Sequence, residues 1–325
     1  MKKTGWLLAL LALMFALTSG LTTGTVWAQA DSAAVGTGVI ETENSVTFPL
    51  ERMRQPTYAD EYCAGFINKD LLPNANYVIG ALDSPNTSKF VLGDAVYLAG
   101  TGYATGQQYT VVRELSNANE DPAFAGQEKL LKATGHAYAE LGRIKVLDTR
   151  GHTPVAQVEY SCEPMVPGDT LVPFVEKTHV TLREATRLDR FLPANGKTMG
   201  RMVLARDFDT FLGMGSKVYV NVGSNQGVKV GDYFRAVRPY WLDRDDEVDS
   251  ISLSASVVED TQKNPPSLEP ALFGKNGKGP VIHMTDYPRR AVGEMVVLSV
   301  TPTSSTAMVI FALEDLHLGD FAEME

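Results

Sequence analysis

The sequence predicts an all-β protein made of two tandem, repeated barrel-like domains with long insertions. Residues 142–174 align with residues 293–325 at a constant offset of 151, without a gap, and eight of these 33 pairs are identical. The identical residues of the first copy are Gly142, Val146, Leu147, Ala156, Val158, Glu163, Gly168 and Asp169. A fixed offset indicates one structural unit used twice. Apolar residues alternate at a period of two in both copies, which is typical of β-strands.

The amino terminus has the layout of a cleaved secretory signal. Lys2 and Lys3 precede an apolar run over residues 6–17, and small residues lead to Ala28-Gln29-Ala30. This layout predicts removal of residues 1–30. Because the apolar run is shorter than a membrane-spanning helix, we expect no transmembrane segment in the mature chain. The protein is therefore expected to be exported, either to the periplasm or to the cell surface and beyond.

Two β-domains are expected to follow a flexible leader over residues 31–52. The first domain is predicted over residues 53–175 and the second over residues 197–325, with residues 176–196 as the linker. Units of this size can each bury a core of their own.

Each copy carries an insertion at the equivalent place, over residues 115–141 in the first copy and 240–290 in the second. Long segments without strong periodicity are usually binding elements or disordered. The second insertion contains an acidic run over residues 243–249, which is expected to be solvated, with a calcium site as the alternative. The insertions are therefore the expected location of a specific function.

The best-preserved strand has one apolar face in both copies. That face carries Ala156, Val158, Tyr160 and Cys162 in the first copy, and Ala307, Val309, Phe311 and Leu313 in the second. The other face is polar in the first copy and apolar in the second, with Gln157, Glu159 and Ser161 against Met308, Ile310 and Ala312. This difference predicts that the second domain buries both faces of the strand.

Gly-Asp pairs separate the predicted strands. Glycine adopts the positive φ that tight turns require, and aspartate bonds its own local backbone, so a structural role is favoured over carboxylate ligands for a metal. The four pairs are Gly93-Asp94, Gly168-Asp169, Gly231-Asp232 and Gly319-Asp320.

The two cysteines of the chain, Cys63 and Cys162, are expected to form a disulfide, because an exported protein enters an oxidising compartment. The alternative is a pair of buried thiols, since Cys162 aligns with the apolar Leu313.

The charge of the chain argues against two classes of partner. Loss of Lys2 and Lys3 with the signal takes the net charge from −10 to −12. Nucleic-acid binding and adhesion to anionic membranes both draw on clustered Lys and Arg. We therefore expect no nucleic-acid partner.

Motifs for catalysis or for a bound cofactor are missing from the sequence. The five histidines include no pair at the spacing of helical metal ligands, there is no Cys-x-x-Cys, and there is no Gly-x-Ser-x-Gly elbow. We expect no catalytic residue, no structural metal and no cofactor, although a hydrolase site assembled from loops of both domains stays open.

Aromatic residues are the candidate binding groups. Tyr97 and Tyr219 occupy the same place in the two copies, on the face opposite the alternating valines, and Tyr240-Trp241 lies at the base of the second insertion. Exposed aromatics stack on sugar rings or on partner side chains. The alternative is that they cover a second core beneath the insertions.

The stretch from Val218 to Arg238 resembles the opening of a small β-domain found at the carboxy end of flagellar assembly protein T and in bacterial envelope proteins with LysM modules. Its closing part also resembles that domain over Gly293–Val297, Ala307–Ile310 and Leu318-Gly319-Asp320. The resemblance covers about residues 200–325 well and 78–175 more loosely, and it implies a periplasmic or surface assembly role without catalysis. No LysM segment is seen here, and fold-level similarity assigns no site.

These observations predict an exported, non-catalytic binding or scaffolding protein of a bacterial envelope. The expected partner is an envelope protein or a cell-wall glycan. The alternatives are a peptidoglycan- or polysaccharide-binding module and a hydrolase with its site between the domains.

Overall fold

The computed structural model describes residues 53–83, 86–116, 122–184, 188–240, 242, 261–264, 267–269, 279–283 and 287–325. The predicted signal, the leader over residues 31–52, Trp241 and the acidic run over residues 243–249 lie outside the described residues.

The first half of the described chain is almost entirely strands. Its elements are α1 (Tyr58–Tyr62), β1 (Phe66–Asn68), β2 (Tyr77–Ala81), β3 (Ala95–Ala99), β4 (Gln108–Glu114), α2 (Gln127–Thr134), β5 (His136–Asp148), β6 (Val155–Ser161) and β7 (Thr170–Pro173). Six strands close a barrel in the order β5-β4-β7-β2-β3-β6, because β6 also pairs with β5. The short β1 is added beside the start of β5.

The second half repeats this arrangement. Its elements are β8 (Met199–Ala205), β9 (Phe211–Leu212), β10 (Lys217–Val220), a 3₁₀ turn (Ser224–Gln226), β11 (Tyr233–Arg238), β12 (Ser267–Glu269), β13 (Val281–His283), β14 (Arg290–Val300), β15 (Ser305–Ala312), β16 (Leu316–His317) and β17 (Phe321–Met324). The second barrel closes in the order β14-β11-β17-β8-β10-β15. Each strand has its counterpart at the same place in the first barrel, so the predicted fold class of two repeated all-β barrels is confirmed.

Each barrel has its own apolar interior. Phe90, Leu141 and Ile144 lie among the fully buried side chains of the first, and Phe234 and Met295 among those of the second. These side chains come from the inward positions of alternating strands, as the period-two pattern requires. The repeat in the sequence therefore encodes two similar cores.

The two barrels pack against each other within one compact unit. The segment from α1 to β1 and the helix α2, which lies in the insertion between β4 and β5, form the contact on the side of the first domain. The contacting strands of the second domain are β8, β10, β14 and β15. Within the described residues, no element covers the equivalent surfaces of the first barrel in the same way.

Candidate interaction surface

The four Gly-Asp pairs adopt one turn. Each glycine has a φ between 88° and 99°, a region that other residues rarely adopt. Each aspartate accepts a hydrogen bond at its carboxylate from the backbone N–H three residues earlier, at distances between 2.6 and 2.8 Å. The carboxylates are therefore engaged by their own turns.

Two of these aspartates also hold an arginine of a neighbouring strand. Arg113 on β4 donates two hydrogen bonds of 2.8 Å to Asp169, and Arg238 on β11 donates bonds of 2.8 and 2.7 Å to Asp320. The bond to Asp169, opposed in part by burial, raises the pKa of the Arg113 guanidinium. A planar guanidinium suits such paired bonds to a carboxylate. In each barrel, the arginine–aspartate pair therefore holds the last Gly-Asp turn against the neighbouring strand.

The predicted disulfide is present between Cys63 and Cys162, whose Cα atoms lie 5.7 Å apart. It ties the end of α1 to the end of β6 in the first barrel. The residues around Cys63 in turn lie on the second barrel, where Ala64 belongs to a buried cluster with Met308 and Ile310. The disulfide thus fastens the cover of the second barrel to the first barrel.

Tyr219 lies at the centre of the contact between the domains. Its side chain is fully buried with Ile67, Val203 and Leu204, and its hydroxyl donates a 3.2 Å hydrogen bond to the carbonyl of Ala64. Burial raises the pKa of this hydroxyl. Of the two interpretations of Tyr219, the exposed binding residue is excluded and the residue of a second core is confirmed, because the first domain covers the outer face of β10.

Gly65 makes this approach possible. It has a φ of 69°, and a Cβ atom at this position would lie 2.3 Å from the Tyr219 hydroxyl oxygen. Any side chain would therefore be strained and would also push the chain away from β10.

Polar bonds fix the same contact around its apolar centre. Thr306 donates to the carbonyl of Gly65 at 2.9 Å, and Ser304 donates to that of Ile67 at 2.8 Å. From the first insertion, Gln127 donates to the carbonyl of Val203 at 2.9 Å. The first insertion, which is expected to carry a specific function, therefore packs against the second barrel of the same chain.

The first barrel has an equivalent surface that no element of the described chain buries in this way. The strand registers place Tyr77, Ile79, Gly80 and Tyr97 at the positions of Arg201, Val203, Leu204 and Tyr219. We call the first four residues the open β2–β3 face. Tyr77 is 40% exposed and Ile79 is 44% exposed, and Tyr97 is half-buried. A Cβ atom built at Gly80 would meet nothing within 4 Å, so space is open beside Tyr97.

The adjacent β5–β6 wall of the first barrel is polar except for Leu147, which is 45% exposed, and this distinguishes it from the open β2–β3 face. On that wall Glu159 accepts a 2.5 Å hydrogen bond from Gln108 and pairs with Lys145 at 3.6 Å. The equivalents of Lys145, Gln157 and Glu159 in the second barrel are the fully buried Val296, Met308 and Ile310. Both faces of β15 are thus buried, as predicted.

Aromatic side chains lie at the end of the second barrel where the second insertion begins and ends. The rings of Tyr240 and Tyr287 lie 4.8 Å apart, and the Arg290 guanidinium lies 4.9 Å from the Tyr240 ring centre. Tyr287 is 45% exposed. Tyr240 follows β11 as Leu115 follows β4, and Leu115 packs against the interface cluster of Tyr219.

The described part of the chain has neither a cluster of metal ligands nor a helix that could cross a membrane. It contains no group of three or more His, Cys, Asp or Glu side chains arranged to hold a metal ion. Among the described helices, none has both the length and the apolar character needed to cross a membrane.

No family model matches the chain, and no curated protein matches it. The resemblance to the domain of flagellar assembly protein T therefore stays a prediction.

Sequence reasoning named Tyr97 but missed its neighbours Tyr77 and Ile79. Ile79 lies in a register shift between Val78 and Gly80, so it breaks the alternation that reveals a strand face. Comparison of the two copies could have identified Ile79. Its equivalent in the second copy, 124 positions later, is Val203, and both residues are β-branched.

Proposed function

We propose that this chain is an exported, non-catalytic scaffolding protein of the cell envelope, which binds another protein through the open β2–β3 face. The observation that carries the proposal is the contrast within the first barrel. Uncovered positions of the β5–β6 wall are polar except for Leu147, whereas the uncovered positions Tyr77, Ile79 and Tyr97 of the β2–β3 face are all apolar or aromatic. Exposed apolar surface of this kind marks interaction sites.

The proposed partner is a protein with an apolar or aromatic surface. Tyr and other aromatic side chains are enriched in the cores of protein interfaces, and charged side chains are depleted there. The open β2–β3 face has this composition, with two tyrosines and an isoleucine. The amino-terminal signal pattern, the disulfide and the likeness to an envelope assembly domain support export and an assembly role.

Site-specific photocrosslinking in intact cells tests this function. A photoreactive amino acid replaces Ile79 in one variant and, as a matched control, the exposed Gln157 of the polar wall in another. We expect a discrete crosslinked protein from position 79 and none from position 157. Equal labelling from both positions, or none from either, would contradict the proposal.

Glycan binding is the second candidate, because the exposed Tyr287 ring lies against the half-buried Tyr240 ring. Such rings can stack on sugars. Pulldown with purified peptidoglycan, compared between the wild type and Tyr287→Ala, tests this alternative. Retention of the wild type with loss on substitution would favour it over the protein partner.

A further inference from the structure

We propose that the open β2–β3 face binds a short, glycine-containing segment of the partner protein, and that the hydroxyl groups of Tyr97 and the neighbouring Thr153 bind backbone carbonyls of this segment. This inference rests on the proposed function, because the site is the same, and it names the chemistry that the site recognises. On the equivalent surface, the second barrel binds residues 64–67 of its own chain.

The second barrel shows how this kind of surface holds a segment of chain. The Tyr219 hydroxyl donates to the carbonyl of Ala64 at 3.2 Å, and the Ser304 hydroxyl donates to the carbonyl of Ile67 at 2.8 Å. Between these bonds lies Gly65, with a φ of 69°, where a Cβ atom would lie 2.3 Å from the tyrosine oxygen. The Ile67 side chain is buried in one cluster with Tyr219. The surface therefore binds the carbonyls of residues i and i+3, a glycine between them and an apolar side chain.

The first barrel keeps both hydroxyl donors. Tyr97 is the equivalent of Tyr219 in the strand registers, and Thr153 is the equivalent of Ser304 at the offset of 151 residues. Tyr97 is half-buried and Thr153 is exposed. Within the described residues, neither hydroxyl makes a hydrogen bond. A hydroxyl beside an apolar surface gains from a partner group that accepts its proton, so both donors suit incoming carbonyls.

The apolar part of the surface is also kept, with one change. Ile79 is 44% exposed and stands where Val203 packs in the buried cluster of Ile67. Gly80 stands in the place of Leu204, and a Cβ atom built there would meet nothing within 4 Å. This space accepts a larger apolar side chain than isoleucine. The segment that fits has a small residue, a glycine, any residue and a large apolar residue in that order.

The first barrel lacks one of the bonds that the second barrel makes. Thr306 donates to the carbonyl of Gly65 at 2.9 Å, and its equivalent in the first barrel is Val155. Fewer hydrogen bonds hold the segment there. Such a contact suits a separate chain, which must bind and dissociate.

A fluorescently labelled synthetic peptide tests this site on the mature, full-length protein. The probe is the segment of residues 62–70 with two changes, Cys63→Ser to remove the thiol and Ile67→Phe to fill the space at Gly80. The same peptide with Gly65→Ala is the matched control. The chain's own residues 64–67 stay on the second barrel, because the disulfide at Cys63 tethers them at high effective concentration. The anisotropy of the label measures binding as the protein concentration rises to the millimolar range.

We expect the peptide to bind the wild type and to lose binding to Ile79→Arg, which places a charge on the apolar surface. Thr105→Arg at an exposed turn is the control for added charge and should bind as the wild type does. Tyr97→Phe and Thr153→Val each remove one hydroxyl and should weaken binding about 2- to 12-fold, the range for one hydrogen bond. The Gly65→Ala peptide should not bind, because its added methyl group would meet the Tyr97 hydroxyl. Tyr97→Phe keeps the ring, so its effect does not depend on a change of fold.

Four results would overturn the inference. They are no binding to the wild type, unchanged binding to Ile79→Arg, unchanged binding to Tyr97→Phe combined with Thr153→Val, and equal binding of the Gly65→Ala peptide. If any of these is found while position 79 crosslinks to a different protein in cells, the segment-binding chemistry fails and the proposed function stands. If position 79 crosslinks only to its own chain, both fail.

Discussion

The two barrels share one strand order but differ in what lies against their outer walls. In the second barrel Tyr219, Met308 and Ile310 point outward and are fully buried, because the first domain and the linker pack on them. In the first barrel the equivalent residues are Tyr97, Gln157 and Glu159, and none of them is fully buried. The inside of each barrel follows from its own strands, whereas the outside depends on neighbouring segments.

Removing the disulfide should have the largest effect on this difference, because it fastens the cover of the second barrel. The variant Cys63→Ala/Cys162→Ala lacks this disulfide, which joins residues 99 positions apart in the sequence. On the chain-entropy model it loses about 4 to 5 kcal/mol of unfolding free energy. Urea denaturation measures the loss, and reductant added to the wild type should reproduce it while leaving the variant unchanged.

Hydrogen exchange on the same variant sharpens the comparison. Amide protection should fall more in β15, which lies under the segment around Ala64, than around the exposed Gln157 in its equivalent β6, which no described element covers in this way. An equal loss in the two strands would mean that the disulfide stabilises the whole unit rather than the cover.

Truncating the equivalent tyrosines Tyr219 and Tyr97 should give the next largest difference in stability between the two barrels. Tyr219→Ala opens a cavity between the domains and should lower the unfolding free energy by about 3 to 5 kcal/mol, in the range of buried aromatic truncations. Tyr97→Ala removes a half-exposed ring and should lower it by only about 0.5 to 1 kcal/mol. Thermal or urea unfolding of both variants measures the difference. Similar losses would show that Tyr97 also has a covered environment in the isolated protein.

The fate of these tyrosines shows how far the sequence alone could lead. Alternation identified which residues share a strand face, and the 151-residue offset identified the repeat, so both barrels could be predicted. Alternation does not show which face a distant segment will cover. Burial of Tyr219 depends on Ala64 and Ile67, more than 150 positions earlier, and no local pattern links them. The outer face of β15 is different, because its sequence did indicate that the face is covered. There Met308 and Ile310 replace polar residues of the first copy.

Exchanging side chains between the outer faces of β15 and β6 tests whether only the face of β15 is covered. The expected change in unfolding free energy is smaller than for the tyrosines. Met308→Gln places an amide in the apolar cluster with Ala64 and Val296 and should destabilise by about 1 to 3 kcal/mol, the range for a buried unpaired polar group. The reverse change, Gln157→Met, lies on an exposed strand position and should change stability by less than about 0.5 kcal/mol. Chemical denaturation compares the two variants, and a large effect of Gln157→Met would contradict the uncovered wall.

The smallest predicted effect is a difference in pH dependence at one equivalent strand position, which carries Arg143 in β5 and Glu294 in β14. Burial raises the pKa of the Glu294 carboxyl above its usual 4.5, and the nearby Glu325 raises it further, while Arg183 opposes both. The folded state therefore holds this proton at pH values where the unfolded state has lost it. Its contribution to stability is present below pH 4.5 and declines as the pH rises through the folded pKa.

Glu294→Gln removes this titration, so the wild type should lose stability relative to the variant as the pH rises from about 4.5 towards neutrality. Urea unfolding of both proteins across this range measures the difference, in which groups that do not interact with Glu294 cancel. Arg143→Gln is the matched control at the equivalent position, since it removes no carboxyl, and its difference curve should slope less than that of Glu294→Gln. A difference curve for Glu294→Gln that is flat or slopes the other way would place this carboxyl in a solvated setting, and the wall of β14 would then resemble that of β5 in openness.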